Sequence, residues 1–385
     1  MARGSIRQRQ GAKGVSYEVH VAIGTDPVTG KRKQETAPFK TKREAEKALA
    51  LMLVEIDRGG VPDASKTTIG KYFTDWLASY AKPNTRPTTY KSYEIYTNTH
   101  LIPALGSILL TKLQPTHLSA LYTRKLNGER KDGKEGGLSP RTVRYLHSIV
   151  REALQHAFRL GMVLRNVADM VQPPRAVRPP VKVWNAEEAS RFLNVAEGAA
   201  YSPLWRVLIA TGMRRGEALG LRWSDLDWQR SVLQVRQTLI DVQGQLSFGE
   251  PKTKSGRRTI ALDPITLAVL KEHRLRQVER RLQLGDLWHN LDLVFTAENG
   301  NWLHPRNVAR TYAALVAKVD VPYIPLHGLR HTSATLLLQK NIHPKIVSER
   351  LGHASIGITL DTYSHVLPTM QQEAADAIAA ALTGT

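Results

Sequence analysis

A proline-rich stretch, QPPRAVRPPV at residues 172–181, limits the possible folds of this chain more than any other feature of its sequence. It carries four prolines in ten residues. Proline fixes φ and has no backbone N–H, so the stretch can form neither a helix nor a central strand. We interpret residues 173–181 as a semi-rigid linker that precedes a separate last domain at 182–385. The 385-residue chain is long enough for two or three domains with cores of their own.

The first 60 residues show the pattern of a small sheet followed by a helix. Residues 16–23, SYEVHVAI, alternate apolar and polar side chains, which predicts a half-buried strand, and a second strand follows at about 31–37. Thr41 and Glu44 then form a T-x-x-E capping box, which is typical of a helix start. We predict a domain at 1–60 with a small three-stranded sheet and one helix.

Basic side chains cluster on the strands and the turn of this N-terminal domain. A two-stranded ribbon can enter a DNA groove, where arginine and lysine contact phosphates and base edges. The candidate DNA-binding residues here are Arg3, Arg7, Arg9 and Lys33. An exposed basic sheet without any ligand is the alternative.

Residues 65–172 have the periodicity of an all-helical domain. The predicted helices lie near 68–80, 87–100, 115–126 and 140–160. The last is the clearest, because Ser139 is a good N-cap and Pro140 suits the first helical position. Arg144 and Arg151 lie on a face away from the apolar stripe and are candidates for phosphate contacts, although a charged face is more often only solvated.

Positive charge is spread along the whole chain. The formal net charge is +20, and residues 1–60, 61–172 and 173–385 contribute +5, +8 and +7. A chain that is basic throughout fits contact with a polyanion along its length, most simply double-stranded DNA. The alternative is a basic surface that is only solvated.

Composition argues against several other classes of protein. The sequence has no cysteine, so disulfides and zinc-thiolate sites are excluded. The basic N-terminus lacks the apolar core of a signal peptide, and no run of about 18 apolar residues suggests a membrane span. We expect a soluble, cytoplasmic protein with no membrane partner.

The last domain is predicted to be mainly helical with a small β-hairpin or sheet. Asn185 and Glu188 form another capping box at its start. A short strand is expected in SVLQVRQT at 231–238, and the turn-rich segment PKTKSGRRTIAL at 251–262 predicts a basic hairpin. Together with the upstream regions, this gives a multidomain α+β fold class.

Five short motifs follow one another in the last domain. They are TGMRRGEALGLRW with Arg214 and Glu217, PKTKSGRR with Lys252, HGLRH with His327 and Arg330, LGH with His353, and DTYSHV with Tyr363. In this order and spacing they resemble the tyrosine recombinase (phage integrase) family. The upstream organisation is similar to that of the large integrases, which have an arm-type DNA-binding domain, a helical core-binding (SAM-like) domain and a catalytic domain.

The resemblance implies a chemistry that suits these residue types. Strand transfer at a phosphodiester needs a nucleophile, a clamp for the nonbridging oxygens and an acid for the leaving 5′ oxygen. The guanidinium fork matches phosphate and stays charged, so Arg214 and Arg330 would form the clamp, with Glu217 in support. Lys252 would be the general acid, and Lys254 on the same segment is the alternative.

Histidines complete the implied site. His327 lies three residues before Arg330, so both are on one face of a helix start and can point at one phosphate. The resemblance includes His353 as well. A metal site built from His327, His331 and His353 is the alternative, but it would leave the arginines and the tyrosine without a role.

The resemblance assigns Tyr363, ten residues after His353, as the nucleophile that forms a 3′-phosphotyrosyl link to DNA. That link conserves the energy of the phosphodiester, so no ATP, metal or other cofactor is required. The residue pattern alone favours a different role for the tyrosine. Ile356, Leu360, Tyr363 and Leu367 form an apolar helical stripe in which the tyrosine would be part of the core.

We therefore predict a site-specific DNA recombinase that integrates or excises a phage or other mobile element. Its implied partners are the core and arm attachment sites on DNA, three further copies of the chain in a homotetramer, and a host bending protein or an excisionase. One alternative is a type IB topoisomerase-like enzyme, which the extra N-terminal domain disfavours. Another is a non-catalytic DNA-binding or architectural protein.

Overall fold

The chain divides into two compact units, Met1–Arg178 and Pro179–Thr385. The computed structural model describes residues 4–11, 14–25, 32–39, 41–57, 66–128, 130, 135–177, 181–251, 254–363 and 370–383. The boundary between the units falls within the proline-rich stretch. Helices dominate both units and each contains small antiparallel sheets, which confirms the multidomain α+β fold class.

The first unit opens with a three-stranded antiparallel sheet and a helix. The elements are β1 Gly4–Gly11, β2 Gly14–Thr25, β3 Arg32–Phe39 and α1 Lys42–Asp57. Because β2 pairs with both neighbours, it is the central strand, and Val19 and Val21 on it pack in a small core with Ala45 of the helix. The Thr41–Glu44 capping box is present, with each side chain accepting a hydrogen bond from the other residue's backbone N–H.

The described residues that follow in the first unit are mainly helical. The helices are α2 Ile69–Trp76, α3 Lys82–Asn84, α4 Pro87–Tyr96, α5 Ile102–Leu105, α6 Pro115–Asn127 and α7 Pro140–Arg159. Two π turns, Leu77–Ala81 and Thr97–Leu101, join α2 to α3 and α4 to α5, so each pair forms one longer helical rod. The predicted cap of α7 is confirmed, because the Ser139 side chain accepts a hydrogen bond from the Thr142 N–H.

The second unit contains nine described helices and five described strands. The helices are α8 Ala186–Ala196, α9 Ser202–Thr211, α10 Arg215–Leu219, α11 Pro264–Leu284, α12 Pro305–Val316, α13 Gly328–Gln339, α14 Pro344–Leu351, α15 Ile356–Tyr363 and α16 Met370–Thr383. The strands are β4 Leu226–Asp227, β5 Val232–Val235, β6 Thr238–Val242, β7 Gln245–Gly249 and β8 Arg258–Ala261. The capping box of Asn185 and Glu188 at the start of α8 is confirmed.

The predicted basic hairpin at 251–262 is wrong in its pairing. Its strand β8 pairs antiparallel with β5, with Val235 opposite Arg258, and completes a sheet of order β4-β5-β8. A tight hairpin lies upstream of this segment, between β6 and β7. Its two turn residues, Gln243 and Gly244, have φ of 57° and 85°, and this left-handed conformation matches the twist of a tight hairpin.

Two separate apolar clusters hold the second unit together. The larger cluster, called here the main core, is built around the aromatic side chains Trp184, Phe192, Trp205 and Tyr312. The smaller one, called here the tyrosine cluster, contains Ala334, Leu338, Val347, Leu351 and Tyr363. Within the described residues of both units, no helix is long and apolar enough to cross a membrane.

Candidate active site

The site begins where α9 ends and α10 starts. Gly212 closes α9 in a left-handed conformation with φ of 64°, and the chain reverses so that Arg214 caps α10. The Arg214 N–H donates to Glu217 Oε2 at 2.9 Å, and Arg214 Nη1 donates to Glu217 Oε1 at 2.7 Å. The Glu217 side chain is 3% exposed and that of Arg214 is 35% exposed. The carboxylate is therefore interior, and the guanidinium it holds stays accessible.

A second arginine, Arg258 on β8, contacts the same carboxylate. Its Nη2 donates to Glu217 Oε2 at 2.9 Å, and its side chain is 6% exposed. Burial would raise the pKa of Glu217, but the charges of Arg258 and Arg214 outweigh burial and lower it. Glu217 is thus an ionised group shared by two arginines. Arg258 was not predicted from the sequence as a site residue.

Arg330, near the start of α13, is almost completely buried. It is 3% exposed, and its Nη1 donates to the Gly212 carbonyl at 2.8 Å. Its Nη2 is buried and has no hydrogen-bond partner among the described residues. Burial, together with the charge of Arg214, lowers the pKa of Arg330 to about 9, so it remains charged at pH 7. A buried cationic donor without a partner favours an anion at this position.

The turn between α14 and α15 brings the LGH motif to Arg214. Arg214 Nη2 donates to the Gly352 carbonyl at 3.3 Å, and His353 Nδ1 lies 2.8 Å from Thr359 Oγ1. Gly352 has φ of 69°, and a Cβ there would lie 2.8 Å from the Ser255 carbonyl oxygen. Only glycine suits both the conformation and the close approach to the segment before β8.

Tyr363 is the last residue of α15 and is 1% exposed. Its hydroxyl lies 2.6 Å from His331 Nδ1 in a hydrogen bond. Burial raises the pKa of Tyr363 to about 12, against the opposing effect of the Arg330 charge. The stripe pattern does not explain this burial, because Ile356 and Leu360 are 37% and 40% exposed. The contact with His331, a residue considered from the sequence only as a metal ligand, places the hydroxyl at the site.

The histidines of the site are neutral at pH 7. Burial, then the proximity of the His331 ring, which disfavours protonating both imidazoles together, and then the charge of Arg330 lower the pKa of His327 to about 4. Burial and then the charges of Arg330 and Arg214 lower the pKa of His353 to about 4, and burial likewise lowers that of His331.

The charges of the site do not balance. Among the described residues, the three arginines Arg214, Arg258 and Arg330 lie near one carboxylate, that of Glu217, which pairs with Arg214 and Arg258 only, and the neighbouring histidines add no charge. Partly desolvated positive charge of this kind is compensated by binding an anion with several acceptor oxygens.

Metal ligation is not supported by the described residues, in which no group of three or more His, Cys, Asp or Glu side chains could hold an ion. His331 Nδ1 is engaged by Tyr363, and His353 Nδ1 by Thr359.

Several of the residues predicted from the sequence belong to the first unit or lie outside the described residues. Lys252 and Arg3 are outside, and the side chains of Lys254 and Lys33 are not described. The other DNA-binding candidates belong to the first unit and have exposed side chains; they are Arg7, Arg9, Arg144 and Arg151. Two of these already have partners, since Arg9 pairs with Glu18 at 3.1 Å and Arg151 pairs with Asp169 at 2.5 Å.

Three family profiles match successive parts of the chain. The Arm DNA-binding domain matches residues 6–56, the phage integrase N-terminal SAM-like domain matches 68–126, and the phage integrase family matches 182–370. The domain boundaries given from the sequence remain predictions.

Relatives of known name are similar over most of the chain. A protein of Caldanaerobacter subterraneus subsp. tengcongensis named tyrosine recombinase XerC-like is 29% identical over 381 residues, covering 94% of this chain and 95% of the relative. Tyrosine recombinase XerC of Mycobacterium sp. (strain KMS) is 31% identical over 230 residues, covering 57% of this chain and 70% of the relative. The structure of the Tn1549 transposon integrase in complex with a circular intermediate DNA shares the fold, with a TM-score of 0.64 and 19% identity, covering 77% and 95% of the two chains.

Proposed function

The chain belongs to the phage integrase family of tyrosine recombinases, and from this premise we propose that it cleaves and rejoins DNA at specific sites through Tyr363. The single observation that carries the proposal is the unpartnered, buried Nη2 of Arg330 beside the Arg214 and Glu217 pair. A phosphodiester supplies the acceptor oxygens that this cluster lacks. Arg330 and Arg214 would then clamp the two nonbridging oxygens and stabilise the charge that develops on them.

The proposed reaction breaks one P–O bond and forms another. The Tyr363 oxygen attacks phosphorus, the bond to the 5′ oxygen breaks, and a 3′-phosphotyrosyl link remains. His331 Nδ1 is the acceptor closest at hand for the phenolic proton, since it already lies 2.6 Å from the hydroxyl. The leaving 5′ oxygen takes a proton from the segment before β8, where Lys252 is our first choice and Lys254 the second. Attack by a 5′ hydroxyl of the partner strand reverses these steps and completes the exchange.

The test of this proposal is covalent trapping on DNA. A nicked attachment-site duplex that loses a short fragment after cleavage should accumulate a denaturant-stable adduct with the wild-type protein and none with Tyr363→Phe. Tyr323→Phe is the matched control, because Tyr323 is 63% exposed in the same unit and should leave the yield unchanged. Adduct formation by the Tyr363→Phe protein at the wild-type rate would contradict the assignment.

We propose that the N-terminal sheet reads arm sites distant from the crossover point. Its support is the match of residues 6–56 to the Arm DNA-binding domain and the exposed basic side chains of Arg7 and Arg9 on β1. In the full chain, replacing Arg7 and Arg9 with Ala should remove footprints at distal sites but leave cleavage at the core site intact. Lys42→Ala, on α1, is the control. If footprints at distal sites and cleavage at the core site are lost equally, the N-terminal sheet is only a general DNA tether.

We propose that four copies assemble on two duplexes, because two exchanging duplexes require four strand cleavages. Helix α16 is the element that we propose couples the copies, since Ile378 and Leu382 on it are 63% and 82% exposed. Docking on a neighbouring copy would cover them. Ile378→Asp should therefore reduce synapsis of two sites more than binding to one site in gel shifts, whereas equal reductions would indicate packing in cis. A host bending protein or an excisionase would join this assembly in the host cytoplasm.

A further inference from the structure

Arg258 joins three elements of the site by hydrogen bonds from one side chain. Its Nη2 donates to Glu217 on α10, its Nε donates to the Arg350 carbonyl on α14 at 2.6 Å, and its Nη1 donates to the Gly256 carbonyl at 3.1 Å. All of its guanidinium nitrogens are thus used within the protein. Unlike Arg330, it keeps no buried nitrogen without a partner, so it is not itself a ligand for phosphate.

The charges of Glu217, Arg214 and Arg258 together indicate a role for Arg258. Without it, the buried Glu217 carboxylate and Arg214 would form a simple pair in which the positive charge of Arg214 is cancelled. With it, the three groups carry one net positive charge, and that charge lies at Arg214, whose side chain is 35% exposed while that of Arg258 is 6% exposed. We propose that Arg258 is a positioning residue that neutralises Glu217, so that Arg214 presents its full charge to the scissile phosphate.

Arg330 cannot replace Arg258 in this role. Its Nη1 is committed to the Gly212 carbonyl, and its Nη2 is the donor we assign to the phosphate. The inference therefore rests on the proposed function, because it concerns how the same clamp receives its charge. The competing explanation is purely mechanical: Arg258 would hold β8, α10 and α14 together through its hydrogen bonds, and its charge would be incidental.

Substitutions at Arg258 and Glu217 distinguish a role of the Arg258 charge from a mechanical role of its hydrogen bonds. Arg258→Met leaves Glu217 to cancel Arg214, and single-turnover cleavage of the nicked substrate should fall about 10²-fold, as for loss of one stabilising donor. Adding Glu217→Gln removes the cancelling charge, so the double variant should cleave about 10-fold faster than Arg258→Met alone. Arg258→Lys keeps the charge but loses the fork, and it should be much closer to wild type than Arg258→Met.

Control variants distinguish loss of the Arg258 charge from misfolding. Arg257→Met, at the neighbouring residue whose side chain is 63% exposed, should cleave like wild type. Thermal unfolding and near-UV circular dichroism report whether each variant folds, and Arg258→Gln carries the same test if the methionine variant does not. A double variant no faster than the single, or a lysine variant as slow as methionine, would overturn the proposal and favour mechanics. Absence of any wild-type adduct would instead overturn the proposed function.

Discussion

The arginines of the site and Tyr363 are held in place by apolar clusters of very different size. Arg214, Glu217 and Arg330 have sequence neighbours, such as Met213 and Leu329, that are fully buried in the main core of the second unit. Tyr363 belongs to the five-residue tyrosine cluster. Burying apolar surface stabilises roughly in proportion to its area, so the smaller cluster should open at a lower free energy.

This difference suggests how one domain combines rigidity with movement. A phosphate clamp is effective only if its donors are already in place, because reorganising them during the reaction costs free energy. The tyrosine that we propose as the nucleophile has the opposite requirement, since its hydroxyl is buried against His331 and would have to reach phosphorus. From the two clusters we therefore expect a rigid clamp and a locally mobile tyrosine.

The largest expected effect is on the main core. Trp205→Ala removes a fully buried indole and should lower the free energy of unfolding of the second unit by about 3–5 kcal/mol. Denaturant unfolding followed by near-UV circular dichroism measures it. The control is Trp228→Ala, because Trp228 is only partly buried. If the two variants lose equal stability, the main core is not the principal support.

The next effect is on the rate of DNA cleavage. Arg330→Lys keeps the charge but loses the bidentate fork, and cleavage of the nicked substrate should fall about 10²-fold with little change in site binding. The same change at Arg214 should act in the same direction. Arg306→Lys, at an exposed position on α12, is the control and should cleave normally. Cleavage at the wild-type rate by the Arg330→Lys protein would contradict the assignment of Arg330 to the phosphate clamp.

A smaller effect is expected in the tyrosine cluster. Val347→Ala removes two buried methyl groups and should cost about 1–2 kcal/mol. The consequence should be local: amide hydrogen exchange should speed up in α14 and α15 and remain unchanged in α9. Faster exchange across both clusters would show that they open together, and the proposed division between clamp and nucleophile would fail.

The last expected effect is a pH dependence of stability. His327 and His353 have pKa values lowered to about 4 by burial and by the charges of Arg330 and Arg214, whereas the unfolded chain has the ordinary value of 6.5. The unfolded state therefore takes up protons first, and stability is lost as pH falls from 6.5 towards 4. Thermal unfolding at pH 7.5 and 5.5 should show the loss, and His353→Asn should reduce it. A Tm that does not depend on pH in this range would contradict the buried, neutral histidines.

Local signals in the sequence were sufficient for much of the fold. The capping boxes of Thr41 with Glu44 and Asn185 with Glu188, and the cap of α7 at Ser139, depend on residues within one helical turn, and all were predicted correctly. The ordered motifs predicted Arg214, Arg330 and Tyr363 as site residues by resemblance rather than by physics. Nothing in the spacing alone brings residues so distant in the chain together.

What the sequence did not reveal depends on long-range pairing. Arg258 reaches Glu217 only because β8 pairs with β5, and the hairpin assigned to residues 251–262 hid that register. His331 meets Tyr363 because α13 packs near the end of α15, across 32 positions of sequence. The Gln243–Gly244 pair is a signal that could have located the hairpin between β6 and β7, since glycine after a polar residue is a common tight-turn signal.

The two π turns in the first unit affect how the gene can vary in length. Each of them, Leu77–Ala81 and Thr97–Leu101, holds one residue more per turn than an α-helix does. Loss of one codon in either turn would return the helix to α geometry and leave the later residues on their original faces. The same loss inside Pro140–Arg159 would rotate every later side chain by about 100° and carry its buried stripe into solvent. Relatives that are one residue shorter should therefore carry the gap at the π turns.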